Sequence, residues 1–227
     1  MYKRQGQDIP KQFMHVDGVP IIIRTMQCFQ QHPDVSAIAV VCLNGWETVL
    51  QSYANQFMID KLKWIFPGGN TGMESIHNGV YGLKEMGCND EDLVLIHDGV
   101  RPLIDSETIS NNIASVKKYG TAITCTVAKE TVILVDKDNN VSEVPSREQS
   151  RFAKAPQSFW LKEILDVERQ AINEGKTDMI DSCTLMRHYG KKLNVVVGPN
   201  ENIKITTPDD FYIFRALYDA RENQQLE

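Results

Sequence analysis

The sequence predicts an α/β protein built on a doubly wound, largely parallel sheet. Three observations carry that prediction. Short apolar, β-branched runs alternate with amphipathic helical stretches in βαβα order. Those runs stop abruptly in polar or glycine-rich loops, as strands buried on both faces do at their ends. The length, 227 residues, is ordinary for one such domain, and a single domain over residues 1–227 is expected.

The beginning departs from the pattern. An α/β domain of this kind opens with a strand and a glycine-rich turn that brings backbone amides to a phosphate. Here Met1-Tyr2-Lys3-Arg4-Gln5 runs directly into Gly6–Phe13. The expectation is a fragment whose residues 1–5 are foreign, being also the translation of a common sequencing-library adapter. From Pro20 the spacing of Ile22, Ile23, Met26 and Phe29 predicts a helix that stops before His32-Pro33, since the residue before proline avoids helical backbone. Ser36–Leu43 reads as a strand, Trp46–Met58 as an amphipathic helix and Leu62–Phe66 as a second strand.

Pro67-Gly68-Gly69-Asn70-Thr71-Gly72 then breaks the chain before a helix over Glu74–Met86. A glycine-rich loop between strand and helix suits an anion, because helix N-terminal amides and a nest of N–H groups point the same way, and Ser75 can add its hydroxyl. A surface turn that merely tolerates positive φ explains the same residues equally well.

Leu93–His97 is the next strand, and it ends in Asp98-Gly99-Val100-Arg101-Pro102. Ligands of open α/β sheets bind outside the carboxyl ends of the strands, so Asp98 and Arg101 can face one ligand, the carboxylate holding a metal or hydroxyl and the guanidinium a phosphate. An Asp–Arg ion pair bracing a turn is the competing reading. His97 is assigned to packing.

Asp105–Tyr119 reads as a helix and Thr121–Val127 as a strand. The polar turn Lys137–Asn140 between Thr131–Val135 and Val141–Val144 is hairpin chemistry, and a hairpin inserted here suggests an arm that reaches a second subunit. On its return path Arg147, Arg151 and Lys154 read as a solvated basic face. Helices follow over Trp160–Ile172 and, capped by Thr177, over Asp178–Tyr189. Leu193–Val197 is a strand, Lys204 lies among β-branched residues, and Thr207-Pro208 opens a last helix to about Ala220.

Composition narrows the function. A net charge of −6 argues against nucleic acid, which needs a basic face. No apolar run approaches the ~20 residues of a membrane span, and no leader is apparent. Five cysteines without CxxC spacing fit a reducing cytoplasm and argue against zinc. No GxGxxG follows a strand, which argues against a nicotinamide oxidoreductase.

Taken together, Pro10-Lys11-Gln12-Phe13, Gly68-Gly69 with Ser75, His97–Pro102, Thr131, Arg147, Pro156-Gln157-Ser158-Phe159, Thr177-Asp178 and Asn202–Thr206 stand in the order and approximate spacing of one family. The chain resembles the cytidylyltransferases that act on 2-C-methyl-D-erythritol 4-phosphate and their relatives that act on D-ribitol 5-phosphate. The resemblance implies a Rossmann-like nucleotidyltransferase sheet with an inserted dimerisation arm (about residues 131–157), a cytoplasmic homodimer, and CMP transfer from CTP to a polyol phosphate with Mg²⁺. It implies that Lys11, Asp98 and Lys204 carry the chemistry and that Gly68, Gly69 and Ser75 hold CTP. Asp98, Arg101, Thr177 and Lys204 would surround the acceptor, Thr131 and Arg147 would arrive from the partner subunit, and Asp98 would be the candidate metal ligand. Three departures accompany it: the first strand and its loop are missing, the second glycine loop has Gly72 where an arginine is usual, and Ala155 replaces the threonine before Pro156-Gln157. The last two lean toward a cell-wall or capsule polyol. A binding or assembly module of the same fold is the alternative to an enzyme.

Overall fold

The computed structural model describes residues 9–224, and the reading of residues 1–5 as foreign falls outside them. Lys11–Phe13 makes one 3-10 turn. β1 (His15–Val16) and β2 (Val19–Pro20) form a small antiparallel hairpin. Its turn residues Asp17 and Gly18 have φ of 50° and 76°, the left-handed conformation that Asp-Gly accepts readily. α1 (Ile21–Gln31) buries Ile22, Ile23 and Met26 against Phe13, Cys42 and Leu50, and sets Cys28 and Phe29 against Leu93, Leu95 and Ile109.

β3 (Ile38–Cys42) and β4 (Leu62–Pro67) pair in parallel across α2 (Glu47–Gln56). α3 (Gly72–Glu85) starts at Thr71, whose side-chain oxygen accepts the Glu74 N–H at 3.1 Å, so the helix opens two residues earlier than its apolar spacing predicts. β5 (Leu93–Ile96) leads to α4 (Ser106–Tyr119), capped by Asp105 and ended by Gly120 at φ 84°, a position that favours glycine.

β6 (Thr121–Val127) is followed by the arm, β7 (Leu134–Val135) and β8 (Val141–Glu143). The Asp136 carboxylate holds its turn by accepting the Asp138 and Asn140 N–H groups at 2.9 Å. β9 (Arg151–Trp160), α5 (Leu161–Asn173), α6 (Ser182–His188), β10 (Val195–Val197) and α7 (Pro208–Gln224) complete the chain. Phe159, Leu161, Ile164 and Leu165 form a buried cluster with Val80, Leu185 and Met186 that ties α3, α5 and α6 to the sheet. The five cysteines are free.

The predicted α/β architecture is present: β3 and β4 form a parallel pair, and the four-stranded sheet, in the order β10-β6-β9-β5, has β10, β6 and β5 running the same way with β9 against them. β10 and β6 are parallel, whereas β9 runs antiparallel to both β6 and β5. β5 is half-buried, not buried on both faces. β9 was not expected as a strand, because Pro156 cannot donate to a central ladder. The chain accommodates it with an irregularity: the β6–β9 register shifts between Ile123↔Gln157 and Cys125↔Ala153, so Lys154, Ala155 and Pro156 fall in the break. One further correction lies toward the C-terminus. α6 begins at Ser182, capped by Asp181 and not by Thr177, and Asn202–Thr206 is irregular.

Candidate functional site

The loop between β4 and α3 is built so that only glycine fits. A Cβ on Gly68 would lie 2.7 Å from the Cys42 carbonyl oxygen, and one on Gly69 would lie 2.5 Å from the Glu74 side chain. The Gly69 N–H donates to Ser75 Oγ at 3.0 Å, and the Ser75 hydroxyl donates to the Thr71 carbonyl at 3.0 Å. The Asn70 N–H donates to the Glu74 carboxylate at 2.7 Å. The Glu74 carboxylate thus takes the Asn70 N–H, while the Gly69 N–H is held by Ser75. The Thr71–Glu74 part of this arrangement is a reciprocal cap on α3, which a structural turn also accounts for.

The second part of the site is the loop after β5. It is fixed from three sides: the Thr25 hydroxyl donates to the Gly99 carbonyl at 3.0 Å, the Ile205 N–H to the Val100 carbonyl at 3.0 Å, and the Arg101 N–H to the Asp98 carbonyl at 3.0 Å. Asp98 Oδ2 accepts from Arg101 Nε at 2.8 Å, and Asp98 Oδ1 lies 2.6 Å from Lys204 Nζ. Burial pushes the Asp98 carboxyl upward, but Lys204 and Arg101 together hold it below its usual value. Arg101 Nη1 also donates to the Asn202 carbonyl at 2.8 Å.

Lys11 lies within electrostatic reach. Burial and then the charge of Lys204 lower its pKa, against the opposing pull of Asp98 and Asp210. Asp210 anchors the other side by accepting from the Thr206 N–H, the Thr206 hydroxyl and the Thr207 N–H at 2.7–2.8 Å. The structure thus brings together Asp98, Arg101 and Lys204, two cations on one carboxylate, with Lys11 close enough to feel the charges of Lys204 and Asp98. The ion-pair reading of Asp98 and Arg101 is what the structure shows: the pair braces its turn, and Lys204 joins it on the other carboxylate oxygen.

His97 does what packing requires. Its ring meets Phe29 edge-on, its Nε2 lies 3.2 Å from the Arg101 carbonyl, and burial pushes its pKa down to about 4, so the ring is neutral near pH 7.

Other expected residues stand apart. Thr177 is exposed in the loop before α6. The residue that reaches toward the sheet there is Asp181, whose Oδ2 accepts from Gln157 Nε2 at 2.8 Å, while Gln157 Oε1 accepts the Cys183 N–H at 2.7 Å. Asp181 was missed because Thr177-Asp178 already looked like a helix start; the signal was an Asp three residues before Thr184, a capping spacing. Thr131 and Arg147 are exposed, on the arm segment.

As a metal ligand Asp98 fits poorly, since both of its oxygens are engaged by cations. Among the described residues no group of three His, Cys, Asp or Glu is arranged to hold a metal ion. Among them, too, no helix is long and apolar enough to cross a membrane.

Comparison with known proteins follows this geometry. The family model for IspD, 2-C-methyl-D-erythritol 4-phosphate cytidylyltransferase, matches residues 1–219. The ribitol-5-phosphate cytidylyltransferase of Streptococcus agalactiae serotype III is 52% identical over 217 residues, 96% of this chain and 90% of that protein. The 2-C-methyl-D-erythritol 4-phosphate cytidylyltransferase of Clostridium botulinum (strain 657) is 32% identical over 211 residues, 93% of this chain and 90% of that protein. Among solved structures, 4-diphosphocytidyl-2C-methyl-D-erythritol synthase from Anaerococcus prevotii superposes with a TM-score of 0.80 at 26% identity, covering 90% of this chain and 88% of that one.

Proposed function

The chain belongs to the IspD family of cytidylyltransferases and transfers CMP from CTP to a polyol phosphate; we propose that the acceptor is D-ribitol 5-phosphate. The observation that carries this reading is the Asp98 carboxylate holding Arg101 and Lys204 together. The ribitol acceptor is favoured by the 52% identity to a ribitol-5-phosphate enzyme against 32% to a methylerythritol-phosphate enzyme. Ala155, where a threonine would present a hydroxyl, points the same way.

The chemistry asks for cations and little else. The nucleophile is a phosphate monoester whose second pKa near ~6 leaves it largely dianionic at neutral pH, so no side-chain base is required. One of its oxygens forms a bond to the α-phosphorus of CTP. The bond from that phosphorus to the β-phosphate oxygen breaks, and its electron pair leaves with pyrophosphate. The barrier lies in bringing two anions together and stabilising the departing charge, which positioned cations do. In this reading Gly68, Gly69 and Ser75 seat CTP, Lys11 faces the triphosphate, and Arg101 and Lys204 face the acceptor. Asp98 keeps those two cations adjacent despite their mutual repulsion.

A divalent cation such as Mg²⁺ would supply charge neutralisation to the triphosphate; both Asp98 oxygens being taken by cations, no residue of this cluster is assigned to hold it. The arm is assigned to a homodimer in which it delivers Thr131 and Arg147 to the partner's site; exposed Ile133, Leu134, Val135 and Val141 give it an apolar face to bury. The test is pyrophosphate release from CTP with ribitol 5-phosphate and methylerythritol 4-phosphate in parallel. Faster release with ribitol 5-phosphate is expected, and release with the methylerythritol ester alone overturns the acceptor assignment.

A further inference from the structure

Lys154 stands outside the motif residues, and the sequence reads it as part of a solvated basic face. The structure turns it inward. It lies where the β6–β9 register breaks, and such irregularities re-aim side chains beside active sites. Its ammonium donates to the Asn200 carbonyl at 2.9 Å and to the Asn202 carbonyl at 3.2 Å. The Asn202 carbonyl is the same oxygen that takes Arg101 Nη1 at 2.8 Å. Two cations from different elements therefore converge on one neutral acceptor.

The balance of charge around that point is uneven. Arg101 and Lys204 share Asp98, whereas the hydrogen-bond partners of Lys154 are carbonyls, which carry no neutralising charge. Burial, followed by the charges of Arg101 and Lys129, lowers the Lys154 pKa against the opposing pull of Glu201. The next residue is Ala155, whose carbonyl is occupied by Asn202 Nδ2 at 2.8 Å. Packed cations without matching carboxylates are the ordinary form of a phosphate site.

We propose that Lys154 is a further ligand of the acceptor's phosphate monoester, acting beside Arg101 and helping to set the enzyme's preference among polyol phosphates. The inference rests on the acceptor reading above and extends it to a residue on β9.

The experiment is calorimetric titration of the full chain with ribitol 5-phosphate, with methylerythritol 4-phosphate and, separately, with CTP. The chains compared are the unsubstituted protein, Lys154→Gln, which keeps hydrogen-bond donors for the two carbonyls without the charge, and Lys154→Arg. Expected is a loss of about tenfold or more in polyol-phosphate affinity for Lys154→Gln, near-complete rescue by Lys154→Arg, and a CTP affinity within about twofold throughout. Unchanged polyol-phosphate affinity in Lys154→Gln, or a lowered melting temperature with both affinities intact, reduces Lys154 to a strut between β9 and the 200–202 loop and overturns the inference while leaving the function reading standing. Binding of neither ester by the unsubstituted chain overturns both.

Discussion

Lys204 Nζ lies 2.6 Å from Asp98 Oδ1, an ion pair that closes the segment leading into α7 onto the loop after β5. The carboxylate holds Arg101 on its other oxygen at 2.8 Å, so either cation is placed through Asp98. Removing one preorganised contact of this kind costs about 3 kcal/mol in the barrier. Lys204→Ala and Arg101→Ala are each expected to lower kcat/KM by roughly a hundredfold or more, read as pyrophosphate release. Wild-type rates in either variant remove that residue from the mechanism.

If sites are shared across a dimer, two inactive chains can repair each other. Lys204→Ala damages the body of a site and Arg147→Ala damages the arm delivered to the partner. In a mixed dimer one site collects both lesions and the other collects none. Co-refolding equal amounts is expected to restore about a quarter of wild-type activity, since half of the dimers are mixed and each has one intact site. Recovery no better than the sum of the parents refutes a shared site.

The two loop glycines are expected to differ sharply from a third. Alanine at Gly68 puts a methyl group 2.7 Å from the Cys42 carbonyl, which is backbone and cannot swing away, whereas a Cβ at Gly72 meets nothing within 4 Å. Gly68→Ala should lose roughly 1–3 kcal/mol of stability and weaken CTP binding, while Gly72→Ala should melt with the wild type. Equal melting temperatures for the two contradict the close approach.

Glu168 supplies a pH dependence. It is 2% exposed, and burial pushes its carboxyl up to about 8; burial also lowers His77, against the pull of Glu74. Near neutrality both groups are therefore uncharged, and the 3.0 Å contact between Glu168 Oε2 and His77 Nδ1 is a hydrogen bond from carboxylic acid to imidazole. A carboxyl whose folded pKa exceeds its unfolded value of ~4.3 contributes stability that is complete below that value and is lost as pH rises through about 8. Glu168→Gln should leave Tm nearly unchanged at pH 4 and raise it progressively at higher pH, by several degrees or more at pH 9. Parallel wild-type and variant curves would show that the carboxyl titrates normally.

The cation cluster was legible because its residues sit in short segments whose chemistry is local: His97–Pro102 ends a strand, and Asn202–Thr206 precedes a capped helix. What escaped depends on pairing between distant segments. Pro156 concealed β9, since nothing local reveals that a register break will absorb the missing donor. With β9 hidden, Lys154 looked like one of three surface cations, although Arg151 does stay exposed and bonds only to the nearby Glu148 and Ser150 carbonyls. Thr177 and Asp181 were confused because both sites offer a capping residue before an apolar run, and the choice is made by Gln157 across the sheet.

β9 spans ten residues, about 33 Å of extended chain, and it belongs to two structures at once. Its first residues rise from the base of the arm, and its last bury Phe159 in the core. Lys154 and Gln157 lie between, Lys154 in the register break itself. On the proposed dimer and acceptor assignments, a substitution that re-angles the arm would also move the side chains beside the acceptor. Partner surface and acceptor preference would then be inherited as one trait, drift in either constraining the other.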